Sequence, residues 1–269
     1  MKKIIKPSLI LVYIFTAAVY ILGPIPESLL TQTLYLILPT LSVVFGFYAI
    51  NSFGFRSATG KALFITTLGL SCWAIGEFTW YWLRSILNVD PFPTISDFFF
   101  ILGYPLLFVG MYMHFKLMSV SFKGLDKYMV AFNFLVIIIL AILVSYFGIY
   151  KAYNPIEGVF NNVIIMLYGL GDLALLIASL FALQFISLYR GGKFRLFWWY
   201  ISFGFLSLTI ADILFAIYRG PYTTYARPYA YLDLVWLLGH LFIVLGMFYY
   251  GSTIRDARKK AEKELANIT

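Results

Sequence analysis

Apolar residues fall into eight long blocks, at residues 7–22, 29–50, 62–87, 95–117, 128–150, 159–188, 196–218 and 231–251, with most of the charge in the short stretches between them. A helix crossing a roughly 30 Å hydrocarbon layer takes about 20 apolar residues, and each block comes near or above that length. Lipid offers no partner to an unpaired backbone N–H or C=O, so a spanning segment is a helix or part of a closed barrel. The blocks are too long and continuous for barrel strands. The pattern predicts an all-α integral membrane protein with eight transmembrane helices. The first block follows Met1, Lys2 and Lys3, as the core of a signal peptide also would. The internal repeat described below gives it a counterpart, so it is read as a span.

Composition agrees and removes the alternatives. The 269 residues are 62% hydrophobic and 12% charged, with a mean hydropathy of +0.87. Soluble domains hold roughly 45–50% apolar and about 25% charged residues. A soluble, disordered or coiled-coil protein is thereby excluded. The one cysteine, Cys72, lies inside an apolar block. Neither a disulfide framework nor a thiolate metal cluster can be built from it.

Charge then sets orientation, because cytoplasmic loops carry an excess of Lys and Arg. With the N-terminus inside, 16 of the 20 basic residues fall on the cytoplasmic side, and Arg84, Lys151, Arg219 and Arg227 fall outside. Of the 12 acids, Asp126, Asp256, Glu262 and Glu264 lie inside. The other eight lie outside or within the spans, and five of them, Glu77, Asp97, Asp172, Asp212 and Asp233, fall within spans. The net charge of +8 is therefore a topology signal and an attraction to anionic headgroups, not a nucleic-acid footprint. Both termini are expected in the cytoplasm of a cell-membrane protein whose first partner is the lipid bilayer.

The chain also repeats itself. At an offset of 135, Gly69, Gly76, Glu77 and Arg84 match Gly204, Ala211, Asp212 and Arg219. At 136, Asp97, Gly103, Gly110 and Met111 match Asp233, Gly239, Gly246 and Met247; more loosely, at 130, Glu27 matches Glu157. Two four-helix halves follow, 1–127 and 128–251, with a basic tail at 252–269. Four spans is an even number, so both halves enter the membrane in the same sense and the repeat is parallel.

Ionisable groups inside the spans carry the candidate chemistry, since each costs about 2.5–3.5 kcal/mol on insertion scales and needs a partner or a purpose. Glu77 and Arg84 are seven apart and share a helical face, as do Asp212 and Arg219. Trp73 and Trp80 flank Glu77 on that face. Asp97 and Asp233 open the helices that follow. One reading makes Arg84, Asp97, Arg219 and Asp233 structural ion pairs that close each outer hairpin, with the two aspartates capping helix N-termini. The other gathers these groups in one outward-facing polar cavity. Asp172 stands mid-span with no cation within a turn, and His240 lies seven residues after Asp233. Asp172, Glu77, Asp212, His240, Trp80 and Tyr104 are the ligand- or proton-binding candidates. His114, beside Lys116, reads as an interface residue.

Three enzyme signatures were weighed. Gly169-x-Gly171-Asp172 has the form of an intramembrane aspartyl protease motif, which needs a second carboxylate facing it. The preceding block, 128–150, holds no acid, so Asp97 or Asp212 would have to serve. Two histidines do not make a zinc ligand set. There is no phosphate-binding loop of the Walker type. No catalytic residue, metal or cofactor is assigned, and an enzyme is the less favoured class.

Two stretches resemble a known family. Pro91-Phe92-Pro93-Thr94-Ile95-Ser96-Asp97, followed by Gly103-Tyr104-Pro105-Leu106, resembles the Pro-Ser-x-Ala-Asp…Tyr-Pro-Leu pattern of a multi-pass sensor region that precedes bacterial diguanylate cyclases and some sensor kinases. Residues 168–173, Ala211-Asp212 and Leu232-Asp233-x-x-Trp236-Leu237-Leu238-Gly239 are similar to its second half, although Ser96 and Gly169 depart from it. The resemblance covers roughly half the chain and implies a membrane-embedded sensing module. The sequence ends at Thr269 without an output domain, so no cyclase or kinase activity carries over. A sensory or ligand-binding module is the leading expectation, and a small cation- or proton-coupled transporter is the alternative. A signal would leave through the tail, toward a cytoplasmic partner or a second copy. There Ile254, Ala257, Ala261, Leu265 and Ile268 recur at helical steps. The tail could equally lie on anionic lipid as a basic anchor.

Overall fold

The structure is a computed structural model that describes residues 2–23, 29–87, 89, 92–117, 127–188, 195–223 and 228–267. Its main elements are α1 (Lys2–Leu22), α2 (Leu29–Phe53), α3 (Ala58–Tyr81), α4 (Ile95–Leu117), α5 (Lys127–Leu143), α6 (Gly158–Leu188), α7 (Arg195–Thr223) and α8 (Asp233–Ala266), and the described residues contain no strand. Eight helices are long and apolar enough to cross a membrane. The all-helical architecture expected from the apolar blocks is present, and the chain has the make-up of a multi-pass membrane protein.

Six helices close into a ring. α2 packs on α3, α3 on α4, α4 on α6, α6 on α7 and α7 on α8, and α8 returns to α2. α1 lies outside the ring against α8 and α2, and α5 packs against α6. The two outer helices leave large apolar side chains uncovered, among them Leu11, Ile14 and Phe15 on α1 and Phe132, Leu135 and Ile142 on α5. Faces of this size and chemistry suit hydrocarbon and would be a liability in water.

Small residues set how closely the ring helices approach. Helices in lipid gain little from burying apolar surface, so close packing over small side chains holds them together. A Cβ on Gly69 of α3 would come within 2.7 Å of Leu107 Cγ on α4, and one on Gly103 of α4 would come within 2.3 Å of Trp73. Between α7 and α8, a Cβ on Gly204 would meet Ile243 at 2.7 Å, and one on Gly239 would meet Leu208 at 2.6 Å. Most buried hydroxyls on these helices satisfy themselves locally. Thr66, Thr67 and Ser179 donate to the carbonyl four residues back.

Regular helix geometry breaks down at the end of the bundle where α3 meets α4. There α3 runs into a π-helical turn, Trp82–Ile86, and α5 into a longer one, Val144–Tyr150. At the same end α7 kinks at Tyr218, ahead of Pro221. Proline has no N–H to donate to the carbonyl of Ile217, which accounts for the kink. The opposite end carries the basic tail, where α8 continues without a break to Ala266. Of the two tail geometries left open by the sequence, the structure has the helix that extends the eighth span. Arg255 Nε donates to Ser52 Oγ at 3.0 Å, and its guanidinium lies 4.3 Å from the Tyr48 ring centre, tying α8 to α2.

Candidate functional site

A cavity of about 460 Å³ lies within the ring, toward the end with the π turns. All five intramembrane acids line it: Glu77 from α3, Asp97 from α4, Asp172 from α6, Asp212 from α7 and Asp233 from α8. Each is positioned by its own helix and accepts a hydrogen bond from an aromatic side chain.

Asp97 sits in the first turn of α4, and its Oδ2 accepts from the Thr94 backbone N–H at 2.7 Å. This is the return half of a capping box, and it satisfies a donor that the helix start leaves open. Its Oδ1 is thereby held where the Tyr168 hydroxyl of α6 donates to it at 2.8 Å. Asp233 opens α8 without a comparable cap, and instead accepts from Tyr20 at 3.1 Å and Tyr222 at 2.7 Å. Glu77 accepts from Tyr35 of α2 at 3.2 Å. Asp212 accepts from the Trp236 indole N–H at 2.8 Å.

Asp172 accepts from the Tyr104 hydroxyl at 2.8 Å. The neighbouring glycine makes this possible. A Cβ on Gly171 would come within 2.4 Å of Tyr104 Cγ, so the ring lies directly on the α6 backbone. Gly169 is filled in the same way by Ile149 Cγ1, at 2.7 Å from its would-be Cβ. The glycines of the Gly-x-Gly-Asp stretch are thus a packing groove. The Asp172 and Asp212 carboxyl groups are neighbours in the cavity wall and interact electrostatically.

Two aromatic clusters wall the carboxyl pair. Trp73, Tyr104 and Tyr168 meet edge to face on one side, with centroids 5.5 and 6.2 Å apart. Phe215, Tyr222 and Trp236 form the other, at 5.2 to 5.8 Å. His240 lines the cavity, is 2% exposed, and its Nδ1 has no hydrogen-bond partner. Lys151 is exposed at the rim, with Nζ 5.9 Å from the Tyr146 ring centre.

Asp172, Glu77, Asp212, His240, Trp80 and Tyr104, singled out in the sequence, all line this one cavity, and so do Asp97 and Asp233. Arg84 acts electrostatically on Asp233, which opens α8. The side chains of Arg219 and Glu157, and residues Glu27, Arg227 and Ile268, lie outside the described residues. His114, read as an interface residue, is buried within the protein. It is 4% exposed among the rings of Phe197, Trp198 and Tyr250, and its Nε2 has no partner. Lys116 marks the helix end, while His114 lies half a turn back on the buried face.

Apart from Tyr104, sequence reasoning missed the donors. Tyr168 is one turn before Asp172, and Trp236 is three residues after Asp233, spacings that could have flagged both. Tyr20 and Tyr35 come from helices remote in sequence and carry no such signal. Among the described residues, no three His, Cys, Asp or Glu side chains are disposed to hold a metal ion. No family model, curated protein or solved structure matches the chain.

Proposed function

We propose that this chain is a cell-membrane sensory or ligand-binding module whose acidic cavity opens to the outside, with both termini in the cytoplasm. The observation that carries the reading is the convergence of five acids from five different helices on one cavity. Facing lipid singly, five such groups would cost roughly 12–18 kcal/mol on insertion scales. A clasp between two helices needs one acid and one cation. Five acids in one space point to occupancy by a ligand.

The Lys and Arg bias supports the orientation, because the cavity lies at the end opposite the basic tail. A parallel two-half architecture is supported by matching contacts. α2 on α8 corresponds to α6 on α4, and α3 on α4 corresponds to α7 on α8. The glycine contacts at 69 and 103 likewise correspond to those at 204 and 239. α8 supplies Asp233, Trp236 and His240 to the cavity and runs unbroken into the basic tail. It is the route by which occupancy would be reported to a cytoplasmic partner.

The experiment uses a Cys72→Ser background with Trp80→Cys, modified by a cationic thiol reagent so that the cavity is filled covalently. Hydrogen exchange over residues 252–266 is compared before and after modification, and proton flux is followed in proteoliposomes with a trapped pH dye. The sensory reading predicts altered tail exchange and no flux. Sustained proton flux with an unresponsive tail would replace it with the transporter reading.

A further inference from the structure

The donor and acceptor count inside the cavity specifies the kind of ligand it takes, an inference that rests on the cavity being a ligand site. The hydroxyls of Tyr35, Tyr104, Tyr168, Tyr20 and Tyr222 and the indole of Trp236 each carry one polar hydrogen, and each gives it to a carboxyl group. The Trp73 N–H is likewise spent on the Phe100 carbonyl. What these groups present to an occupant is acceptor atoms and ring faces. N–H groups remain on Gln32 and Trp80 in the lining and on Lys151 at the rim, but an anion would have to settle among five acids. A group that brings its own N–H donors and a positive charge would find carboxyl oxygens at its centre and aromatic rings around it, the setting in which cation–π attraction is strongest because water is excluded. His240 is a second, independent pointer. It is buried against the cavity with Nδ1 unpartnered, and an imidazole nitrogen in its neutral form offers a lone pair to a donor.

We propose that the cavity binds an organic ammonium ion with an apolar body, seated between Asp172 and Asp212, and that its entry expels the proton the two carboxyl groups hold. The exchange balances. One positive charge enters as R–NH₃⁺, one leaves as H⁺, no covalent bond to carbon or nitrogen changes, and the buried charge stays constant. Constancy matters because adding net charge to a low-dielectric site is costly. Other groups face the pair from the surrounding helices. They are Glu77 on α3, Asp97 and Tyr104 on α4, Tyr168 on α6, and Asp233 and His240 on α8, with Tyr35 on α2. Arg84 acts on Asp233, and Lys151 stands at the rim. Asp97 and Asp233 each accept from two donors, and Glu77 accepts from Tyr35. Asp172 and Asp212 are the neighbouring pair, and two adjacent carboxyl groups share one proton, so this pair is the one that exchanges.

Calorimetric titration of the full chain in detergent micelles tests this, with phenethylammonium as the probe and phenethyl alcohol and phenylacetate as its neutral and anionic counterparts. Repeating the titration in buffers of different ionisation enthalpy counts protons released. The expected result is saturable binding of the ammonium, at least about tenfold weaker binding of the alcohol and the carboxylate, and one proton released per ligand. Asp172→Asn and Asp212→Asn should each abolish proton release and weaken the ammonium about tenfold or more, whereas Glu264→Gln, on the exposed tail away from the cavity, should leave the release intact. Equal or tighter binding of phenylacetate or the alcohol overturns the proposal. So does ammonium binding without proton release, or no saturable ammonium binding at millimolar concentration. The comparison of the three probes needs no variant, so misfolded mutants cannot obscure it. Tail exchange measured on the same samples separates the two readings. Ammonium binding with an unresponsive tail would defeat the sensory function alone, and a tail that responds to an anion would defeat this inference alone.

Discussion

Replacing Gly171 by alanine is the substitution whose cost the structure defines most closely. The added Cβ would lie 2.4 Å from Tyr104 Cγ and 2.6 Å from both Cδ atoms, the base of the ring. Rotating the ring about its own axis does not move Cγ, so relief requires α4 and α6 to separate by about 1 Å or Tyr104 to leave its rotamer. Overpacking of this kind costs about 1–3 kcal/mol. Displacing Tyr104 also removes the donor from Asp172, and an unsatisfied buried acceptor costs about 1–3 kcal/mol more. Alanine returns up to about 1 kcal/mol through its higher helix propensity. The net expectation is a loss of about 1–5 kcal/mol, read as a lower midpoint of unfolding in detergent. Gly148→Ala is the matched control, since the nearest atom to its Cβ is 3.8 Å away. The decisive comparison is the double variant. With Tyr104→Ala already present, Gly171→Ala should cost almost nothing, because two residues in contact couple and distant ones add. An undiminished cost in that background, or an unchanged midpoint for Gly171→Ala alone, would refute the reasoning.

Three further outcomes are expected. Tyr168→Phe deletes the hydroxyl that serves Asp97 and should lower stability by about 1 kcal/mol, since Thr94 still donates to the same carboxylate; thermal unfolding in detergent checks this. Arg84→Ala should lower the melting temperature slightly, by the equivalent of about 0.2–1 kcal/mol, because a partly exposed guanidinium is screened; an unchanged temperature would show that its attraction to Asp233 contributes nothing. Truncation after Thr253 removes the Arg255 contacts to Ser52 and Tyr48 and should leave membrane insertion intact at a cost of about 0.5–1 kcal/mol; if crosslinked partners also stay bound, the tail is an anchor and not an output helix.

The fold was legible because lipid simplifies the reading. Continuous apolar blocks correspond to helices with little ambiguity, and the described helices fall on the same eight stretches as the blocks. The acids were legible for the same reason, as groups that cannot be left in hydrocarbon. Their partners were not. Arg84 is seven residues from Glu77 and shares its face, and it also acts electrostatically on Asp233, brought near by the packing of α8 in the ring, which no local spacing signals. Tyr20 and Tyr35 reach their carboxylates across helix contacts that no local spacing encodes. The burial of His114 is not legible from the neighbouring Lys116, because half a helical turn separates a buried face from an exposed one. The Gly-x-Gly-Asp stretch was read for chemistry, and its glycines turn out to be shaped by the rings and side chains that lie on them.

The central claim is that the acid-lined cavity opens to the outside of the cell. In a Cys72→Ser background, Lys151→Cys at the cavity rim and Arg258→Cys on the exposed tail are treated, in intact cells, with a maleimide that cannot cross the membrane. The account predicts that position 151 is labelled at once and position 258 is labelled after permeabilisation. Labelling of position 258 in intact cells, with position 151 protected until the membrane is opened, would contradict it.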